Sequence, residues 1–210
     1  MRRLVFTCLV CLSMGFVGHA QSWITLQGKV AGSVFRLVSK DKDGTGGICA
    51  AVLINKDRAA LLTAAHCVSP IAEGRSIVVD DRYTTVERWN EILDLAIVRT
   101  PGIKGTPLPL RAEPITVGTP IAFVGYAFGA ARQKYTFGFV SDVEDASIEI
   151  GSTFFNTEAI NGQSGGLIVD EAGALVSIVQ GAFVARSGSL SVGPTPARLK
   201  AFAEDYWPQP

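Results

Sequence analysis

The chain has 210 residues, 48% hydrophobic and 18% charged, with nineteen basic side chains against nineteen acidic ones. At roughly 100–200 residues per domain this is one compact domain or two small ones; a large multidomain machine is excluded, and the apolar content excludes a disordered chain. Zero net charge provides no long-range field to recruit nucleic acid or an anionic membrane, so neither is expected as a partner.

In chain order, Arg2 and Arg3 precede an apolar run from Leu4 to Val17, followed by the small-residue ending Gly18-His19-Ala20. This is the order of a secretory signal, and the run is shorter than the ~20 residues that span a bilayer. A signal peptide over 1–20 is expected, cleaved after Ala20, leaving a secreted protein, extracellular or periplasmic, without a stable membrane anchor. Cys8, Cys11 and His19 leave with the signal. Cys49 and Cys67 then enter an oxidising compartment as a pair, for which a disulfide is the default. His66 is the one histidine left. One imidazole and two paired cysteines cannot assemble a multi-ligand metal site, so neither metal nor cofactor is expected.

From residue 34 the chain alternates short runs rich in Val, Ile, Leu, Phe and Thr with Gly, Pro, Asp and Asn. Candidate strands are 34–39, 48–54, 59–64, 77–80, 84–89 and 95–100, then 121–126, 135–144, 147–150, 153–158, 166–169 and 174–183. Turn signals at this regular spacing mark an all-β sandwich or barrel. Between the two sets of six runs a linker from Pro101 to Pro109 carries three prolines, which cannot donate to a ladder. Two β units follow, 21–105 and 106–210. One helix is expected, at the end: Thr195 caps, Pro196 suits the first helical position, Leu199, Phe202, Ala203 and Tyr206 recur at helical spacing, and Pro208 stops it.

Three constellations carry candidate chemistry. The first is Thr63-Ala64-Ala65-His66-Cys67, at the end of an apolar run. A lone histidine is more often structural than catalytic, but the small alanines would leave this ring unshielded. A Cys49–Cys67 bridge would also pin the residue beside it, which suits a general base. The second is Asp94-Leu95-Ala96. Here the carboxylate either ends a loop or accepts the imidazole N–H, fixing its tautomer and stabilising the imidazolium. The third is Gly162-Gln163-Ser164-Gly165-Gly166. Glycines on both sides of Ser164 allow a sharp turn that exposes Oγ and turns backbone N–H groups toward a developing oxyanion; a plain Gly-Ser loop is the alternative. Gly-x-Ser-x-Gly also occurs in α/β-hydrolases in the chain order Ser, Asp, His. Because His66 and Asp94 both precede Ser164, that reading fails.

Taken in this order the three motifs resemble the chymotrypsin/trypsin-like serine proteases, over about residues 30–190. The resemblance is nearest to bacterial members such as the HtrA-type protease domain, without room for a PDZ domain. It implies two six-stranded antiparallel β-barrels with the site between them and a short C-terminal helix, the first barrel bearing His66 and Asp94 and the second Ser164. By the same resemblance Ser164 is the nucleophile, His66 the general base and then acid, and Asp94 the orienter, while the backbone N–H groups of Gly162 and Ser164 form the oxyanion hole. The implied activity is that of a secreted serine endopeptidase acting on proteins or peptides through an acyl-enzyme. The alternative is a catalytically inactive binding protein of the same fold.

Two positions depart from the family pattern. Typical members carry Asp before the serine, paired with a new amino terminus released by activation cleavage. Gln163 stands there instead, so activity is expected without such cleavage. Glu158 stands six residues before the serine, where the family keeps the residue at the base of the primary specificity pocket. In that place it would attract Lys or Arg, whereas a one-residue gap in the alignment moves the acid elsewhere and favours small apolar residues.

Overall fold

The computed structural model describes residues 23–40, 46–69, 76–144, 151–185 and 188–206. The expected signal peptide and candidate strand 147–150 lie outside these residues. Among them, no helix is long and apolar enough to cross a membrane.

The first sheet is built from β1 (Val34–Lys40), β2 (Ile48–Asn55), β3 (Ala60–Thr63), β4 (Ser76–Val79), β5 (Arg82–Tyr83), β6 (Thr85–Asn90) and β7 (Leu95–Arg99), in the order β5-β4-β1-β2-β3-β7-β6. The second takes β8 (Pro120–Gly125), β9 (Lys134–Glu144), β10 (Ser152–Phe155), β11 (Leu167–Asp170), β12 (Leu175–Ile178), β13 (Gly181–Ala185) and β14 (Gly188–Pro194), in the order β12-β11-β8-β9-β10-β14-β13. Both are curled antiparallel sheets, and the architecture is chymotrypsin-like, as expected.

Each sheet has seven strands where six were expected, for two local reasons. The run 84–89 is preceded by a tight hairpin in which Val79 pairs with Arg82 and Val78 with Tyr83. Its two turn residues, Asp80 and Asp81, both take positive φ (45° and 60°), as a two-residue hairpin with the right twist requires. An Asp-Asp pair signals that turn far more weakly than Asn-Gly. In the second sheet the run 174–183 is not one strand. It breaks at Val179 and Gln180 into β12 and β13, and the partner of β13 is the Gly- and Ser-rich β14, whose composition is poor in strand formers.

A first helix, α1 (residues 23–30), was not expected. Leu26 and Val30 are buried one turn apart on its inner face, while Gly28, a poor helix former at its middle, obscures the pattern. The expected terminal helix is present as α2 (Pro196–Glu204), with Thr195 as N-cap accepting from the Arg198 amide at 3.4 Å. Leu199, Phe202 and Ala203 form its buried face. The Arg88 guanidinium lies 4.5 Å from the centre of the Phe202 ring and donates to the Phe202 carbonyl at 3.2 Å, so the end of the chain is fastened to β6 of the first sheet.

Period-2 alternation sorts the second sheet between two cores. On β8, Ile121 and Phe123 point into a cluster with Val140, Phe155, Ile168 and Val176, and Phe123 meets Phe155 edge to face at 5.3 Å. The intervening Ala122 and Val124 join Leu167 and Val169 of β11 in the larger cluster that includes the first sheet's interior. β8 and β11 are therefore buried on both faces. Their apolar runs fill the seam between the two halves, and the site lies along it.

Candidate active site

Strand register brings His66 and Asp94 together. β3 pairs antiparallel with β7 so that Thr63 faces Ala96; continued past the end of the ladder, the same register sets residues 65–66 beside 93–94. The chain then turns in a single 3-10 turn, Ala65–Cys67, which lifts the His66 ring to the surface while Ala65 and Cys67 stay buried. The Asp94 carboxylate receives three contacts from this one residue. The His66 backbone N–H donates to Oδ1 at 2.9 Å, and Nδ1 lies 3.1 Å from Oδ1 and 2.8 Å from Oδ2. Facing a carboxylate, Nδ1 carries the proton, which leaves Nε2 as the ring's free acceptor. The disulfide expected between Cys49 and Cys67 is formed. It closes a loop of sequence separation 18, worth about 3 kcal/mol in the chain-entropy picture, and ties the His66 turn to β2.

The serine turn is held from several sides. Ser164 is half-buried, and its carbonyl accepts from the Ala50 amide at 2.8 Å. Ala50 is the neighbour of Cys49, so the turn abuts the bridge that carries the His66 turn. Gly165 has φ +73°, and a Cβ there would stand 2.2 Å from both the Ala50 carbonyl and Thr63 Oγ1. Gly162 has φ +91°, and a Cβ there would stand 2.3 Å from the Tyr126 carbonyl. Only glycine fits either position.

Between the two glycines the backbone amides divide into two sets. Gln163 donates to Ile160 O at 2.9 Å, Gly165 to Val179 O at 2.7 Å and Gly166 to Gln163 O at 2.8 Å. The amides of Gly162 and Ser164 have no protein acceptor among the described residues. Gln163 itself is buried, and its Oε1 accepts from the Ile160 amide at 2.9 Å, so the side chain closes its own turn.

The structure thus joins His66 to Asp94 directly and sets the Ser164 turn against the same strand and bridge. Among the described residues no hydrogen bond links Ser164 Oγ to His66; in free enzymes such contacts are often long and tighten with substrate. Glu158 is exposed, while its neighbour Thr157 is buried with its carbonyl accepting from Ser191. Phe128, 82% exposed at φ +55°, stands beside the serine turn with its amide on Asn161 O at 2.6 Å. The sequence offered no signal for this placement, because the contact joins segments far apart in the chain. Cys49, Cys67 and His66 place potential metal-ligand atoms within 4.8 Å of one another, but both sulfurs are committed to the disulfide and Nδ1 to Asp94.

The family model described as Trypsin-like peptidase domain matches residues 49–178, more than half of the chain and all three motifs. The chain belongs to the trypsin-like peptidase family. As a member it is a serine endopeptidase, with proteins or peptides as its substrate class. No curated protein matches it. Among solved structures, the active form of the Rv3671c protease from M. tuberculosis is 18% identical with a TM-score of 0.73, covering 88% of this chain and 85% of that one. Deg5 is 15% identical with a TM-score of 0.76, over 90% and 96% of the two chains. The HtrA-type protease AlgW, determined with a tripeptide, is 20% identical with a TM-score of 0.72, over 88% of this chain and 64% of that one. At these identities the likeness is one of fold.

For this trypsin-like peptidase the Gly165 contacts give a direct prediction. Gly165→Ala combines a left-handed backbone with two overlaps and should destabilise the protein by about 3–5 kcal/mol. Denaturant unfolding checks this, and a loss under about 1 kcal/mol, the size of an ordinary substitution, would mean that the turn is not held as closely as described.

Proposed function

We propose that Ser164, His66 and Asp94 form the catalytic triad of this endopeptidase, working through an acyl-enzyme. The observation that carries the proposal is the triple contact of His66 on Asp94, which leaves Nε2 as a proton acceptor at the seam where the serine turn sits. His66 Nε2 takes the Ser164 proton as Oγ attacks the scissile carbonyl. The Asp94 carboxylate stabilises the imidazolium without itself taking the proton. The amides of Gly162 and Ser164, unused by the fold, donate to the oxyanion. His66 then protonates the leaving amine, and a water deprotonated by the same nitrogen releases the acyl group.

Other features support the reading. β13 ends the second sheet with one edge unpaired among the described residues, next in the chain to Val179 and Gln180, and an extended substrate can add to that edge as a strand. Gln163 Oε1 accepts from the Ile160 amide within its own turn, its buried Nε2 has no partner among the described residues, and a neutral amide cannot form the ion pair with a newly cut amino terminus that an aspartate there would make. The disulfide and the signal-like first twenty residues suit secretion to an oxidising compartment.

Incubating the purified mature protein, untrimmed at its amino terminus, with an unfolded protein tests the function. Internal cleavage products identified by mass spectrometry are expected. An inert protein that gains activity only after amino-terminal trimming would contradict the role given to Gln163. Paired Arg and Val reporter peptides test Glu158: as a pocket base it gives faster cleavage after Arg, by about tenfold or more, the scale of one good pocket contact. Its exposure favours the opposite result, since a hydrated carboxylate attracts a cation weakly. Equal or faster cleavage after Val removes Glu158 from the pocket.

A further inference from the structure

Asp94 is aimed at His66 by a backbone conformation that aspartate seldom adopts, with φ at +48°. Such a conformation persists only where the surroundings over-determine it. Part of the restraint is local: the Asp94 amide donates to Glu91 O at 3.3 Å, and Asn90 Oδ1 accepts from the Leu93 amide at 2.9 Å. The remainder comes from the other sheet. Gln180 Nε2 donates to Leu93 O at 2.5 Å and to Asp94 O at 3.0 Å, so one side-chain amide holds two consecutive carbonyls at the end of the turn.

The backbone that presents this side chain is also tied to the serine turn. Val179, one residue earlier, accepts from the Gly165 amide at 2.7 Å and donates to Gly166 O at 2.9 Å, while the Gln180 amide donates to Val192 O at 3.0 Å on β14. Residues 179 and 180 thus grip the serine turn with main chain and the Asp94 turn with a side chain. This is where the run 174–183 gives up its strand pairing. We infer that Gln180 is a positioning residue, a strut that fixes the Asp94 carboxylate relative to Ser164 across the seam and so sets the line along which His66 moves a proton.

The inference rests on the triad proposed above and adds to it a residue whose side-chain amide is committed to the Asp94 turn rather than to the reacting atoms. Without the Nε2 donors the Leu93 and Asp94 carbonyls lose their cross-seam anchor, the turn relaxes, and the carboxylate shifts away from Nδ1. A misplacement of about 1 Å costs catalysis on the order of 10²-fold. Substrate binding, which does not pass through the Asp94 turn, is spared. A carboxylate moved away also accepts less closely from Nδ1, which the Nδ1 proton resonance reports independently of turnover.

Gln180→Met keeps the length of the side chain and removes both donors; Gln180→Glu keeps the shape and sets a carboxylate against two carbonyls. For both, the expected result is a fall in kcat of about 10², KM unchanged, and thermal unfolding close to wild type. In a Ser164→Ala background, which removes turnover from the readout, the His66 Nδ1 proton resonance should move upfield when Gln180→Met is added. Gln180→Asn, an amide one methylene short, serves if the larger changes prevent folding, and should show the same loss of kcat. Wild-type kcat and an unmoved Nδ1 resonance in a folded Gln180 variant would overturn the inference, as would a loss carried wholly by KM. If Ser164→Ala itself keeps full activity, the triad fails and the strut with it; if Ser164→Ala is inert and Gln180→Met is unimpaired, only the strut fails.

Discussion

Ser164→Ala is expected to abolish peptide hydrolysis, lowering kcat by about five to six orders of magnitude, with the fold left intact. The hydroxyl is the only atom removed. The turn that presents it is set by Gly162 and Gly165, by Ala50 on the Ser164 carbonyl and by Val179 on the Gly165 amide, none of which involves Oγ. What survives is the small rate enhancement from substrate binding and the Gly162 and Ser164 amides, which the alanine backbone still supplies. Progress curves on a peptide substrate and a thermal melt of the same preparation check both halves. A variant within tenfold of wild type would remove Ser164 as nucleophile, and a melt far below wild type would mean that Oγ has a structural partner.

Asp94→Asn is expected to cost about 10⁴-fold in kcat with little change in stability. The carboxylate accepts from the His66 backbone amide and from Nδ1, and as an acceptor on both oxygens it requires the proton to sit on Nδ1. An asparagine can satisfy the backbone amide with its carbonyl oxygen, but its NH₂ then faces Nδ1 and donates to it. The ring switches tautomer, Nε2 becomes protonated, and it can no longer take the Ser164 proton. The side chain is 27% exposed and the change isosteric, so packing is preserved. Nitrogen chemical shifts of His66 report the tautomer independently of activity. An Asp94→Asn enzyme within tenfold of wild type, with its Nδ1 still protonated, would show that the carboxylate does not orient the ring.

The parts of the fold legible in the sequence were those whose signal is local. Alternation and turn residues marked most strands to within a residue or two; Thr195 followed by Pro196 marked the start of α2, and the expectation that Cys8 and Cys11 leave with a signal peptide pointed to Cys49 and Cys67 as the pair, which the structure bridges. The three motifs marked His66, Asp94 and Ser164 as candidates because each combines a reactive side chain with small or turn-forming neighbours, and the structure joins the first two directly. What stayed hidden depends on partners distant in the chain or on weak local composition. Asp80 and Asp81 make a hairpin turn that their identity signals poorly, and β14 is held in the sheet by β10 and β13 rather than by its own propensity. Gln180 reads as one polar residue in an apolar run. Its two acceptors lie 87 and 86 residues away, and only the packed seam brings them within reach.

Covalent labelling tests the triad most directly. An organophosphonate probe requires a serine whose proton is removed by a neighbouring base and an oxyanion site that accepts the phosphonyl oxygen, so it reads nucleophile, base and hole in one step. The account predicts a single adduct on the peptide containing Ser164, absent from Ser164→Ala and from His66→Ala. A folded protein that hydrolyses peptides while its Ser164 stays unlabelled, or one that carries the adduct on another serine, would contradict it.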